Sequence, residues 1–190
     1  MKATSDIVSF DNEPLMLVDS DDVVIGFEEK AAAHRGEGIL HRAFSIFLFN
    51  DQGEVLLQQR SALKPLWPGY WSNTCCSHPR RGESLTQATK RRLKEELNLE
   101  SKLTFLFKFQ YHAVFHDIGS EHELCSVFVG SVAGRPLPDF NPTEIADTAW
   151  VSIATVDNWL SDDTIETTPW FAMEWQRIKA DFSEQIPQST

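Results

Sequence analysis

Apolar positions along this chain fall into two periods. Residues 14–26, PLMLVDSDDVVIG, are two short apolar runs around a Ser-Asp-Asp turn, which predicts a β-hairpin. Residues 43–50, AFSIFLFN, are nearly all apolar; a turn at Asn50-Asp51-Gln52-Gly53 follows, and residues 54–60, EVLLQQR, return with partial alternation. This is the strongest hairpin signal in the chain. Residues 103–115, LTFLFKFQYHAVF, predict an aromatic strand closed by Asp117-Ile118-Gly119-Ser120. In the EHELCSVFVG that follows, the period of two puts Glu121, Glu123, Cys125, Val127 and Val129 on one face.

Helical spacing appears after Gly82. Ser84 with Gln87 three residues on reads as a capping box, and Leu85, Ala88, Thr89, Arg92, Leu93, Glu96 and Leu97 recur on one side of the helix it opens. Glu96 therefore leaves the helix near its apolar edge. A solvated surface helix with an Arg92–Glu96 pair is the plain alternative, worth a few tenths of a kcal/mol. A strand over 148–151, a helix over 152–160 and a second helix opening on Thr168-Pro169 complete the pattern; on the last, Phe171, Trp175, Ile178 and Phe182 form one stripe. No internal repeat or linker interrupts this order. The expectation is a single α+β domain over 1–190, with residues 1–13 and 183–190 as flexible termini.

Composition narrows the partners. The chain has 190 residues, 42% hydrophobic and 11% aromatic, enough for one core and unlike a disordered segment. It offers neither a signal-peptide pattern nor an apolar run of membrane-spanning length, so a cytoplasmic protein with no membrane partner is expected. Three cysteines, two of them adjacent, suit free thiols in a reducing compartment. A net charge of −11 argues against nucleic acid as a partner. Within 58–94, however, Arg60, Lys64, Arg80, Arg81, Lys90, Arg91, Arg92 and Lys94 face a single acid, Glu83. A cationic island in an acidic chain focuses a small anion, which points to a phosphorylated metabolite.

The candidate chemistry centres on WSNTCCSHPRRGES, residues 71–84. Alternation in an extended segment puts Cys76 and His78 on one side and Cys75 on the other. Prolines 65 and 68 keep the preceding loop non-helical and bring Lys64 beside Arg60. The carboxylates of Glu121 and Glu123 lead into an apolar stripe, where a metal or an acid–base role would account for them, or else the end of an edge strand reaching water. His34 and His41, in FEEKAAAHRGEGILH, fit ordinary surface histidines at least as well as a metal pair when taken alone.

Taken together, EKAAAH…LHRAF, WPGYWSNTCCSHP, GES…RRLKEEL, the pair Glu121 and Glu123, and TPW at 168–170 resemble the type I, metal-dependent isopentenyl-diphosphate delta-isomerases over roughly residues 14 to 182. The resemblance implies a Nudix-like mixed β-sheet sandwich flanked by helices. It implies that His34, His41, His78, Glu121 and Glu123 hold one divalent ion, Mn²⁺ or Zn²⁺, and that Glu96 holds Mg²⁺ carried in with a diphosphate. Cys76, Glu123 and Tyr111 become the catalytic groups, Lys30, Arg60, Lys64 and Arg92 the diphosphate contacts, and Trp175 the indole facing the reacting carbons. The substrate would be a small prenyl diphosphate, and the protein a monomer or weak homodimer.

Departures from the motif are informative. A Nudix hydrolase box has Gly at 77, Glu at 92 and Gly at 98, where this chain has Ser77, Arg92 and Asn98. Losing the glutamate at 92 removes a Mg²⁺ ligand of the hydrolases, which leaves diphosphate hydrolysis as the alternative reading. A binding module with a purely structural ion is a third.

Overall fold

A computed structural model describes residues 6–186. The order is β1 (Pro14–Val18), β2 (Val24–Glu29), α1 (Lys30–Ala33), β3 (His41–Asn50), β4 (Glu54–Arg60), β5 (Trp71–Ser72), β6 (Cys75–Ser77), α2 (Leu85–Leu97), β7 (Leu103–Phe115), β8 (Gly119–Val132), β9 (Ile145–Ser152), α3 (Ile153–Ser161) and α4 (Pro169–Asp181). β1 and β2 pair antiparallel, as do β7 and β8.

The 43–60 segment departs from its expected hairpin. β3 and β4 meet only at Phe49 opposite Val55. Beyond that corner they part: β3 pairs parallel with β8, from His41 opposite Glu123 to Asn50 opposite Val132, and antiparallel with β6. β4 pairs with β9 on one side and β5 on the other. A hydrophobic run buried on both faces finds better partners in other strands than in its sequence neighbour, so the hairpin opens into a mixed sheet with two wings.

β3 explains the core. Phe44, Ile46 and Leu48 point to one face, where Ala88, Leu93 and Leu97 of α2 cover them. Ala43, Phe47 and Phe49 point to the other, against Phe171, Trp175 and Ile178 of α4. Both helices start as read: the Ser84–Gln87 capping box is formed, and Pro169 occupies the first turn of α4. Asn98 ends α2 in the left-handed conformation at φ 52°, a position that favours glycine and tolerates asparagine.

Among the termini expected to be flexible, residues 1–5 and 187–190 lie outside the described residues. The described remainder touches the body of the protein: Asn141 donates to the Asp6 carbonyl at 2.9 Å, Arg92 to the Val8 carbonyl at 3.0 Å, and Ile186 is buried.

Leu93 is fully enclosed between α2 and the sheet, whereas Leu137 is solvent-exposed. Leu93→Ala is expected to cost about 2–5 kcal/mol in urea unfolding, and Leu137→Ser to stay within about 0.5 kcal/mol.

Candidate active site

Segments from α1 through α4 converge on one cavity of about 230 Å³, lined by Lys30, His34, Arg60, Lys64, Cys76, His78, Arg92, Tyr111, Glu121, Glu123 and Trp170 among others. Several of them are tied down locally. Thr74 Oγ1 accepts from the Leu48 amide at 2.9 Å and donates to the Leu56 carbonyl at 2.5 Å, while Asn73 Nδ2 donates to the Ile46 and Cys75 carbonyls. These buried struts lock β6 against β3, so that Cys76 faces the cavity side and Cys75 the α2 side. The Thr168 hydroxyl, instead of capping α4, bonds Ser72 Oγ at 2.8 Å, which pins the helix start and Trp170 over the cavity. The loop carrying His34 is held to β8 by the Ser120 amide donating to the His34 carbonyl at 2.9 Å. A Cβ at Gly119 would run into that carbonyl, and Gly38, at φ +67°, closes the loop against Ser120.

One wall is a buried cluster. Ligand atoms of His34, His41, His78, Glu121 and Glu123 all lie within 4.8 Å of one another. His34 Nδ1 donates to the Lys30 carbonyl and His41 Nδ1 to the Ile39 carbonyl, each at 2.7 Å, which fixes the tautomers and turns both Nε2 lone pairs inward. His41 Nε2 and His78 Nε2 are 3.1 Å apart, and His78 Nε2 is 3.0 Å from Glu123 Oε1. His34 Nε2 and Glu121 Oε2 stand 2.7 Å apart, yet neither makes a hydrogen bond.

Donors bound about 2.1 Å from one ion sit roughly 3 Å apart when adjacent and roughly 4.2 Å apart when opposed, and the separations here, from 2.7 Å to within 4.8 Å, bracket that range. The residues therefore fit a divalent ion. Burial, with repulsion from His41 and Lys30, holds His78 well below the usual histidine range, so its ring is neutral as a ligand must be. Burial pushes Glu123 upward, but the neighbouring His41 ring and the hydrogen bond from Tyr111 outweigh it and leave the carboxyl lowered. β8 lies between β3 and β7, so the two carboxylates are not on an edge strand.

Beside this wall, Tyr111 donates to Glu123 Oε2 at 2.6 Å. Cys76 is a free thiol that burial pushes up to about 12, so it keeps its proton at neutral pH.

The cationic end gathers Lys30, Arg60, Lys64 and Arg92. Arg60 donates to the Trp67 carbonyl at 3.0 Å and the Leu66 carbonyl at 2.8 Å, with its guanidinium 5.4 Å from the Trp170 ring. Lys64 pairs with Glu144 at 2.5 Å, and Arg92 with Glu96 at 2.6 Å and Glu144 at 3.3 Å. Glu144 was not singled out in the sequence; burial opposes its charge, but Lys64 and Arg92 hold its carboxyl at about 2. Burial and the neighbouring Lys64 and Arg92 push Lys30 down to about 8. Three more cations of the basic island pair elsewhere: Arg80 with Glu13, Arg91 with Glu83 and Glu95, Lys94 with Glu100.

Two sequence expectations need correction. Trp175 does not face the cavity: it is 1% exposed, packed among Phe47, Phe49 and Phe171, with Nε1 donating to Asp157 at 2.9 Å. The indole at the cavity is Trp170, five residues earlier in the TPW motif. The alternative of a solvated Arg92–Glu96 pair fails as well: the pair is buried and Glu96 faces inward as its place on the helix implies, with Arg92 and not Glu96 among the residues lining the cavity.

The NUDIX domain family model matches residues 39–171. Isopentenyl-diphosphate Delta-isomerase 1 of Photorhabdus laumondii is 44% identical over 168 residues, spanning 87% of this chain and 94% of the relative. The isopentenyl-diphosphate Delta-isomerase of Burkholderia multivorans is 45% identical, spanning 84% and 89%. In fold, DR0079 from Deinococcus radiodurans superposes with a TM-score of 0.69 at 24% identity over 87% of this chain and 98% of its own. RenU, a Nudix hydrolase from M. smegmatis, gives 0.59 at 19% identity over 92% and 98%. Both the matched domain and these relatives place the chain in the NUDIX family, and within it the chain belongs to the isopentenyl-diphosphate Delta-isomerases.

Proposed function

We propose that this enzyme interconverts isopentenyl and dimethylallyl diphosphate. The observation that carries the reading is a neutral thiol, Cys76, and a carboxylate, Glu123, lining the same small cavity between an indole and a cluster of cations. Moving the double bond adds a proton to the terminal alkene carbon and removes one from the carbon nearer the diphosphate, through a tertiary carbocation. One group must hold a proton to give and another an open site to take one. Cys76 and the Tyr111-bonded Glu123 begin in those complementary states, and the reverse reaction exchanges their roles.

Trp170 offers an electron-rich face to the cation, worth about 2 kcal/mol or more when desolvated. Lys30, Arg60, Lys64 and Arg92 hold the diphosphate, and Leu66 and Ile118 help to keep water from the carbocation. A divalent ion held by His34, His41, His78, Glu121 and Glu123, as Mn²⁺ or Zn²⁺ with this mixed donor set, supplies positive charge that keeps Glu123 ionised and fixed. Mg²⁺ accompanies the diphosphate; a direct ligand role for Glu96 requires Arg92 to swing aside. Hydrolysis is disfavoured because Arg92 stands where a hydrolase carries a glutamate.

Incubation with isopentenyl diphosphate, Mg²⁺ and Mn²⁺ should yield the acid-labile allylic product; phosphate release without it would favour hydrolysis instead. Cys76→Ala should fold normally and lose at least about 100-fold in kcat, and full activity in that variant would end its assignment. Trp170→Ala should lower kcat by about 30-fold or more, whereas Trp175→Phe should cost stability and leave kcat within about threefold. The reverse ranking would restore Trp175 to the site. Chelator treatment should lower the unfolding temperature as well as activity, because the two buried carboxylates lose their counter-charge, and Mn²⁺ or Zn²⁺ should restore both.

A further inference from the structure

Of five buried carboxylates, four are paired; the fifth, Glu174, has no ion pair among the described residues. It lies on α4 one helical turn beyond Trp170 and is 0% exposed. Its Oε2 makes no hydrogen bond. Its Oε1 lies 3.6 Å from Cys125 Sγ, and the same sulfur lies 3.4 Å from Ser45 Oγ. Ser45 stands opposite Cys76 in the β3–β6 ladder, and residues so paired project from the same face. A short polar chain thus runs through an otherwise apolar layer and ends beside the strand that carries the reacting thiol.

A thiol has one hydrogen to donate. If Cys125 gives it to Ser45, the contact with Glu174 needs a hydrogen from the carboxyl. Were Glu174 ionised, its charge would draw the thiol hydrogen away and Ser45 would lose its donor. The titratable groups facing Glu174 are Cys125 and Glu123 on β8 and Cys76 on β6, none of them cationic. No cation offsets the desolvation, and burial pushes the carboxyl from the ordinary 4.5 to about 8, although Ser45 and Cys125 beside it act to lower it.

We propose that Glu174 is a positioning residue for the Cys76 side of the site: as a neutral acid it donates to Cys125, leaves the thiol hydrogen to Ser45, and so fixes the hydroxyl across the ladder from the reacting sulfur. Glu174 touches no substrate and acts through its neighbours. The inference rests on the isomerase reading above.

The test is kcat for isopentenyl diphosphate as a function of pH in the wild type, Glu174→Gln and Ser45→Ala. The wild type should lose activity with a single alkaline limb near 8, the value at which Glu174 ionises. Glu174→Gln cannot ionise; it should keep kcat at neutral pH within about threefold and show no such limb, while KM, which follows the charge on Lys30 in the free enzyme, should rise with pH alike in both proteins. Ser45→Ala cuts the link between the buried carboxyl and the strand that carries Cys76, so there too the alkaline limb near 8 should be absent.

Stability gives a readout independent of turnover. An acid whose folded pKa is raised keeps a proton that the unfolded chain has lost, so wild-type stability should fall as pH climbs from about 4.5 to about 8, and Glu174→Gln should gain on it over that window. Turnover with an unchanged alkaline limb in Glu174→Gln overturns this inference alone. Should Glu174→Gln fail to fold, an unmoved limb in Ser45→Ala overturns it. A wild type that isomerises nothing at any pH removes the isomerase reading, and this inference with it.

Discussion

Two carboxylates and three imidazoles are buried with almost nothing but one another for company, and the fold is arranged to bring them together. Among the described residues Glu121 and Glu123 have only histidine and tyrosine partners, and two imidazole nitrogens face each other at 3.1 Å. Desolvated carboxylates at such spacing require positive charge. A cation at their centre satisfies every donor at once. β3 serves this end directly: it supplies His41, pairs on one side with the strand bearing Glu121 and Glu123, and on the other with the strand that leads into His78.

The opposite end of the cavity solves the inverse problem, keeping cations in place before an anion arrives. Lys64 and Arg92 lean on Glu144, Arg92 also on Glu96, and Arg60 on two backbone carbonyls. These partners hold the positive groups in place, so little reorganisation would accompany the proposed capture of a diphosphate. The same arrangement separates this protein from the hydrolases that share its fold. Where a hydrolase helix carries a metal-binding glutamate, α2 carries a guanidinium already committed to two acids.

Much of this was legible in the sequence because side-chain period carries direction. Alternation separated Cys76 from Cys75 and put Glu121 and Glu123 on one face; the capping box fixed the start of α2. What the sequence lacked was depth. The stripe on α4 marks a buried face correctly but not which of its tryptophans reaches the cavity, and the Thr168–Ser72 bond that decides in favour of Trp170 joins distant segments. Helical spacing marks Glu96 as inward-facing, as it is, but the hold that Arg92 has on it depends also on Glu144 arriving from another part of the chain. The β3–β4 turn was legible and the pairing was not, because strand partners are chosen by tertiary burial rather than by proximity. Asn73, Thr74 and Glu174 gave no periodic signal at all.

The parallel pairing of β3 with β8 has a consequence for how the chain acquires its site. Parallel neighbours cannot be joined by a tight turn, and here β4, β5, β6, α2 and β7 all intervene between them. Closing so long a segment comes at an entropic cost before any contact rewards it, so high contact order makes this ladder a slow step. His34 and His41 enter the ribosomal exit long before Glu121 and Glu123 are synthesised. The cluster of histidines and glutamates is therefore complete only when nearly the whole polypeptide has condensed, and a half-folded chain lacks the set of side chains that would hold an ion.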